Sequence, residues 1–176
     1  TQQSKSRPEE LTLPLRLPPL PARPGFLERK DISPADLGTA THKALGCLPL
    51  VHLRGKRGAE LSAAVMAGLD GLAGQGILTP AQREGLYTGW ITGFLESGLG
   101  QRMLAAGRVH REWAFNLKYS PKPLTLVQGV VDCCFLEEGA WVLIDYKTDV
   151  VRDRKALFAR YEPQLRLYRR ALEEIT

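Results

Sequence analysis

The sequence predicts an α+β fold: a helical first half, a cluster of strands, then a closing helix. Three observations carry that expectation. Ser33-Pro34-Ala35-Asp36 and Thr79-Pro80 each join a capping hydroxyl to a proline at the first helical position. Apolar residues keep helical spacing through the first hundred positions and change to period two from Val109. A charged stretch then leads to Pro163 and a last helical run.

Taken in order, residues 1–24 hold six of the twelve prolines and read as an extended, linker-like lead-in, which leaves 25–176 as the domain. The first helix is expected from Pro34 to about Cys47, carrying His42. An Ala/Leu-rich helix follows from Arg57 to about Ala73. A third starts at Pro80 and runs through Tyr87, Trp90, Ile91, Phe94 and Leu95. Ser97 caps a short helix ending near Gly107. Val109, Trp113, Phe115 and Leu117 alternate with polar residues, as a half-buried strand does. Leu124–Leu136 is almost continuously apolar, the pattern of a strand covered on both faces. After Glu138-Gly139 comes a third strand over Ala140–Lys147, then a charged loop, with Pro163 opening a helix to about Ile175.

Composition excludes several classes. With 44% apolar and 24% charged residues, the chain has enough apolar material for one core and is too apolar to stay unfolded. Its apolar runs are too short to cross a bilayer, so no membrane association is expected. No G-x-x-x-x-G-K-[ST] occurs, so no ATP site is expected in this chain. Cys47, Cys133 and Cys134 include no C-x-x-C pair, which argues against a disulfide framework and against an iron–sulfur cluster. A reducing, cytoplasmic location fits them, and a start at Thr1 rather than Met points to a piece of a longer chain. The net charge of +5 has one address. Between Lys147 and Arg170 stand eight bases and three acids, whereas the rest of the chain carries sixteen of each.

The turn at Glu138-Gly139 fixes what the second and third strands place together. A two-residue loop there pairs Glu137 with Ala140 and sets Asp132 opposite Asp145. Two facing carboxylates in apolar strands repel each other and lose solvation, so they call for a shared proton or a cation. Lys147 stands two residues beyond Asp145, on the same face. Carboxylate oxygens suit Mg²⁺, with Mn²⁺ as a substitute. A held cation activates water toward a phosphodiester, and an ammonium offsets the charge growing on phosphate. The plain alternative is that Asp145 and Lys147 form a strand-end ion pair.

Gly129-Val-Val-Asp132, Ile144-Asp145-Tyr146-Lys147-Thr148, Gln164-Leu-Arg-Leu-Tyr168 and Gly38-Thr39-Ala40-Thr41-His42 together resemble the RecB-type branch of the PD-(D/E)XK nucleases. Leu78-Thr79-Pro80, Leu99-Gly100-Gln101-Arg102 and Arg111-Glu112-Trp113-Ala114-Phe115 extend the similarity to the AddA-type nuclease domains of bacterial helicase–nucleases, over roughly residues 24–176. Val131 stands where the superfamily name has proline. The resemblance implies an α/β/α, restriction-endonuclease-like core: a central mixed sheet whose hairpin carries the site, flanked by helices. It implies His42, Asp132, Asp145 and the Tyr146 backbone carbonyl as metal ligands and Lys147 as the catalytic lysine. It implies Gln164 and Tyr168, one turn apart, as supports of the site and the DNA, and Glu112 as an auxiliary acid. The implied partners are DNA with single-stranded ends, a helicase motor in the same parent polypeptide, and an AddB-like second subunit. The implied activity is an exonuclease serving double-strand-break repair and recombination.

In that setting Arg152, Arg154, Lys155, Arg160 and Arg166 read as phosphate-backbone contacts leading a strand to the carboxylates. The alternatives are a solvated basic face, core packing for Tyr168, and a structural or solvated acid for Glu112. For the chain as a whole they are a noncatalytic DNA-binding or docking module on a degenerate nuclease fold, or a self-sufficient small exonuclease. His52 and His110 have no motif context, and Cys133-Cys134 reads as small hydrophobes in a core.

Overall fold

The computed structural model describes residues 32–121, 123–148 and 153–175. The proline-rich lead-in of residues 1–24 and Arg152 lie outside them. In chain order the elements are α1 (Pro34–Cys47), a 3₁₀ turn (Leu50–His52), α2 (Gly58–Gly74), α3 (Pro80–Gly85), α4 (Thr88–Glu96), α5 (Gly98–Ala105), β1 (Val109–Pro121), β2 (Leu124–Glu137), β3 (Ala140–Ile144) and α6 (Arg154–Ile175). This is the α+β order that the periodicity predicts.

Local chemistry starts the helices. Ser33 Oγ accepts from the Asp36 N–H at 3.1 Å while Asp36 accepts from the Ser33 N–H, a complete capping box before Pro34. Thr79 and Gln82 repeat the arrangement ahead of Pro80. The helix expected from Pro80 through Leu95 is two helices. Leu86 turns extended after α3 and buries its side chain in the core, and α4 begins only at Thr88. At the C-terminal end, Pro163 lies inside α6 instead of opening it, and from Arg154 onward the residues expected as a charged loop are the first half of that helix. Asp153 Oδ1 accepts from the Lys155 N–H at 2.8 Å, which caps the helix a full ten residues before the proline. A proline inside a helix costs about 3 kcal/mol; here the packing of Tyr168, Ala171 and Leu172 against the sheet offsets it.

Among the described residues the sheet has the order β1-β2-β3 and is antiparallel throughout, where a mixed sheet was expected. The β2–β3 register follows the turn: Glu137 pairs with Ala140 and Cys133 with Ile144. Glu138 and Gly139 both take left-handed φ, of 49° and 81°, as a two-residue hairpin requires. β3 ends at Ile144, so Asp145 and Lys147 stand just past the ladder rather than within it. β2 is covered on both faces only over Val131–Phe135; Leu124, Leu126 and Val130 lie exposed, because the helices reach only the far end of the hairpin.

Two cores sandwich that buried end. Cys133, Phe135, Ile144 and Tyr146 pack with α1–α5, while Phe115, Leu117, Val131 and Cys134 pack with Tyr168, Ala171 and Leu172 of α6. Simple alternation would send Val131 and Cys133 to the same side. Instead the strands exchange faces at Asp132 on β2 and at Glu112 on β1. Glu112 has φ 49°, and it is skipped in a ladder that resumes without a change of register.

The Leu99-Gly100-Gln101-Arg102 segment binds the helical half to the hairpin. Arg102 Nε donates to both Glu137 carboxylate oxygens at 3.0 and 3.1 Å, and Gln101 Nε2 donates to the Leu95 carbonyl at 2.8 Å. Gly100 permits the α4–α5 crossing, since a Cβ there would stand 2.1 Å from the Phe94 carbonyl oxygen. Gly100→Ala is therefore expected to lower stability by about 3 kcal/mol, the upper range for overpacking against unyielding backbone. Urea unfolding would show it as a lower midpoint with an unchanged slope.

Candidate metal centre and active site

α1 presents His42, half-buried, toward the exchange point of the sheet, and Arg111 holds the helix there. Its Nη1 donates to the Leu45 and Leu48 carbonyls at 3.0 and 2.6 Å. It thereby satisfies helix-end acceptors that α1, with no base in its own last turn, leaves open. In the sequence Arg111 stands out only as part of a motif. Its place just before an acid was the one available sign that it served the site.

His42 Nδ1 lies 3.4 Å from Asp132 Oδ1, and Asp132 Oδ2 accepts the Tyr146 N–H at 2.7 Å. Glu112 completes the group: potential ligand atoms of His42, Glu112 and Asp132 all lie within 4.8 Å of one another. Gly46 lets this acid lie against α1, since a Cβ there would come 2.9 Å from Glu112 Cγ. Glu112 was expected only as an auxiliary acid, and the structure brings it into the cluster itself. A left-handed non-glycine residue inside a strand was not readable from the sequence.

The electrostatics follow from crowding. Hydrogen bonding to Asp132 holds the His42 imidazolium above its ordinary range, against the opposing effect of burial. Partial desolvation, then the charge of Asp132, raises Glu112. Burial likewise raises Asp145 despite Lys147, whose Nζ lies 2.7 Å from Asp145 Oδ2. Asp145 Oδ1 is buried and has no hydrogen-bond partner among the described residues. Asp145 lies outside the His42–Glu112–Asp132 group but within reach of the charges of Asp132 and His42, and its bare buried oxygen fits a hard divalent cation, which would satisfy it without a proton.

Lys147 is held from three sides. Besides Asp145, Gln164 Oε1 lies 3.3 Å from its Nζ, and the Tyr161 ring centroid lies 4.4 Å away. Gln164 Nε2 in turn donates to the Tyr168 hydroxyl at 2.6 Å, and the Tyr168 ring packs edge-on against Phe115. The two helix residues thus form one chain of contacts that ends on the lysine, so Tyr168 is both core and support. Tyr161 was missed, although it stands one turn before Leu165 on the face carrying Gln164 and Tyr168.

A family model described as the PD-(D/E)XK nuclease superfamily matches residues 13–176. The chain belongs to that superfamily. Among its PD-(D/E)XK relatives, the AddA-type ATP-dependent helicase/nuclease subunit from Geobacillus kaustophilus is 35% identical, over 99% of this chain and 15% of the relative. The subunits of the same name from Desulforamulus reducens and Desulforudis audaxviator are each 36% identical, over 90% and 92% of this chain. The chain thus spans 13–15% of the length of these curated relatives.

The bases of the C-terminal segment fall into two groups. Arg166, Arg169 and Arg170 each pair with an acid four positions away, Glu162, Glu173 and Glu174. Lys155 and Arg160 are exposed on α6, with Arg160 5.3 Å from the Tyr161 ring centroid, and Arg154 opens that helix. His110 makes tilted ring contacts with Trp113 and Trp141, and His52 lies in the 3₁₀ turn; neither joins the site. No described helix is long and apolar enough to cross a membrane.

Proposed function

We propose that this chain is the Mg²⁺-dependent DNA nuclease domain of an ATP-dependent helicase–nuclease, hydrolysing phosphodiester bonds of single strands as an exonuclease in double-strand-break repair and recombination. The observation that carries the reading is the cluster of His42, Glu112 and Asp132, with Asp145 near enough to feel the charges of Asp132 and His42 and paired to a lysine that Gln164 also contacts. The relatives' names, which join helicase and nuclease in one polypeptide, support a motor in the same parent chain. A cytoplasmic setting and an AddB-like second subunit belong to the same reading.

His42, Asp132, Asp145 and the Tyr146 carbonyl would hold the cation, with Glu112 beside them. When bound, a divalent cation polarises a phosphoryl oxygen and lowers the pKa of water. The chain's own residues do the rest. Asp132 fixes the hairpin end by taking the Tyr146 N–H, so both carboxylates keep one spacing. Lys147, against Asp145 Oδ2, sets a positive charge toward the phosphate as negative charge grows there. Gln164 and Tyr168 hold that ammonium in place. Arg154, Lys155 and Arg160 serve as phosphate contacts on approach, with Arg152 and Arg166 as further members of the group.

The test is metal titration of the full chain, followed by digestion of end-labelled single- and double-stranded DNA. Mg²⁺ or Mn²⁺ is expected to raise the Tm and to switch on cleavage. Metal binding needs a neutral imidazole, and Asp132 holds His42 protonated above its usual range. The metal-induced rise in Tm should therefore be larger at alkaline than at mildly acidic pH. DNA binding with neither metal stabilisation nor cleavage would establish the noncatalytic module instead.

A further inference from the structure

Beside the metal cluster opens a cavity of about 450 Å³, lined by Gly38, Thr39, His42, Lys43, Cys47 and Glu112. Five of these residues come from α1, and Glu112 closes the cavity from β1. It shares His42 and Glu112 with the cluster but not Asp145 or Lys147, which border α6 through Gln164 and Tyr161. The cluster therefore has two flanks, and a strand whose phosphate sits at the carboxylates must leave along both. The basic residues of α6 serve one. The other is this cavity, large enough for one nucleotide.

Its chemistry is graded. Glu112 lies at the end next to the cluster, where an acid disfavours a phosphate. Lys43 is exposed on α1 and makes no ion pair among the described residues. Thr39 Oγ1 donates to the Ala35 carbonyl at 3.1 Å, which leaves its lone pairs free to accept from a sugar hydroxyl or base. On these grounds we propose that the α1 cavity is the subsite for the nucleotide next to the scissile phosphate on the flank away from α6. Thr39 lines its sugar and base, and Lys43 Nζ takes its outer phosphate. The inference rests on the nuclease reading and adds to it a direction for the strand, across the cluster from α6 to α1.

Cys47 offers a readout that does not depend on cleavage. It is exposed and lines the cavity, whereas Cys133 and Cys134 are buried, and burial pushes both their thiols up to about 11. A thiol reagent near neutral pH should therefore mark Cys47 alone. The alkylation rate of the full chain would be followed with a short single-stranded oligothymidylate in Ca²⁺, with binding measured in parallel by anisotropy and the strand checked intact afterwards. At an oligonucleotide concentration about ten times its Kd, alkylation should slow about tenfold, because only the free fraction reacts. Lys43→Ala, a change on an exposed helix face, should lower the slope of log affinity against log salt by about one.

Oligonucleotide that binds while Cys47 reacts at its free rate would overturn the subsite and leave the nuclease reading standing. An unchanged salt slope in Lys43→Ala would overturn the phosphate assignment even with Cys47 protected. A chain that neither binds nor cuts DNA would overturn the nuclease reading and the subsite with it.

Discussion

Lys147→Met is expected to reduce metal-dependent cleavage by about 10²–10³-fold, the scale of losing one preorganised group that stabilises developing charge. The ammonium is fixed rather than waving on a flexible stem. Asp145 Oδ2 lies 2.7 Å from it, Gln164 Oε1 3.3 Å, and the Tyr161 ring covers another side. Lys147→Arg should not rescue the loss, because a planar guanidinium cannot satisfy a carboxylate, an amide oxygen and a ring from that one point. Removing the lysine also strands Asp145, at a stability cost of about 1–3 kcal/mol for an unpaired buried group. That cost has a definite sign with pH. Burial already raises the Asp145 pKa, and Lys147 opposes the rise. Without the lysine the folded pKa climbs further above its unfolded value. The variant should then come closest to wild type at acidic pH, where Asp145 is neutral. Its deficit should grow as pH rises through the Asp145 titration. Single-turnover cleavage and urea unfolding across pH would measure both.

Asp132→Asn is expected to abolish the metal-induced rise in Tm and to lower cleavage by about 10³-fold or more. An amide oxygen still accepts from the Tyr146 N–H, so the hairpin end should survive. What disappears is the charge. His42 then loses the chief cause of its raised pKa, and its imidazole should titrate at lower pH, as NMR of the ring protons would record. Asp132→Ala removes the acceptor as well and should cost about a further 1–3 kcal/mol of stability for the orphaned N–H. The difference between the two variants separates scaffold from charge. Equal metal-induced stabilisation in wild type and Asp132→Asn would remove Asp132 from the metal site.

How legible the site was depended on the range of the forces that set it. Short-range chemistry read well. The Ser33 box started α1 where expected, and the Glu138-Gly139 turn fixed a register that brought Asp132 and Asp145 to the same strand ends. The neighbouring helix carried Gln164 and Tyr168 at a spacing that survives any shift of its start. The failures are tertiary. Pro163 signals a helix start locally, yet packing of Tyr168 and Leu172 with a cap at Asp153 carries α6 through it. Leu86 breaks a run of good helical residues because the core takes its side chain. Glu112 turns left-handed only because the strands exchange faces between two cores, and no propensity encodes that. Arg111 reaches carbonyls 63 and 66 positions away, beyond any local pattern.

That reach sets the order in which the site can come into being. α2–α5 form one long excursion of the chain, and Arg111 closes it by fastening its far end to the tail of α1. Closing so large a loop is a slow, entropically costly step, while the β2–β3 hairpin needs only its own turn. A partly unfolded chain can thus hold its two aspartates in register while the imidazole is still away from them. The clasp thus acts as a condition of assembly: the imidazole of α1 meets the carboxylates of the hairpin only when Arg111 has fastened the two together.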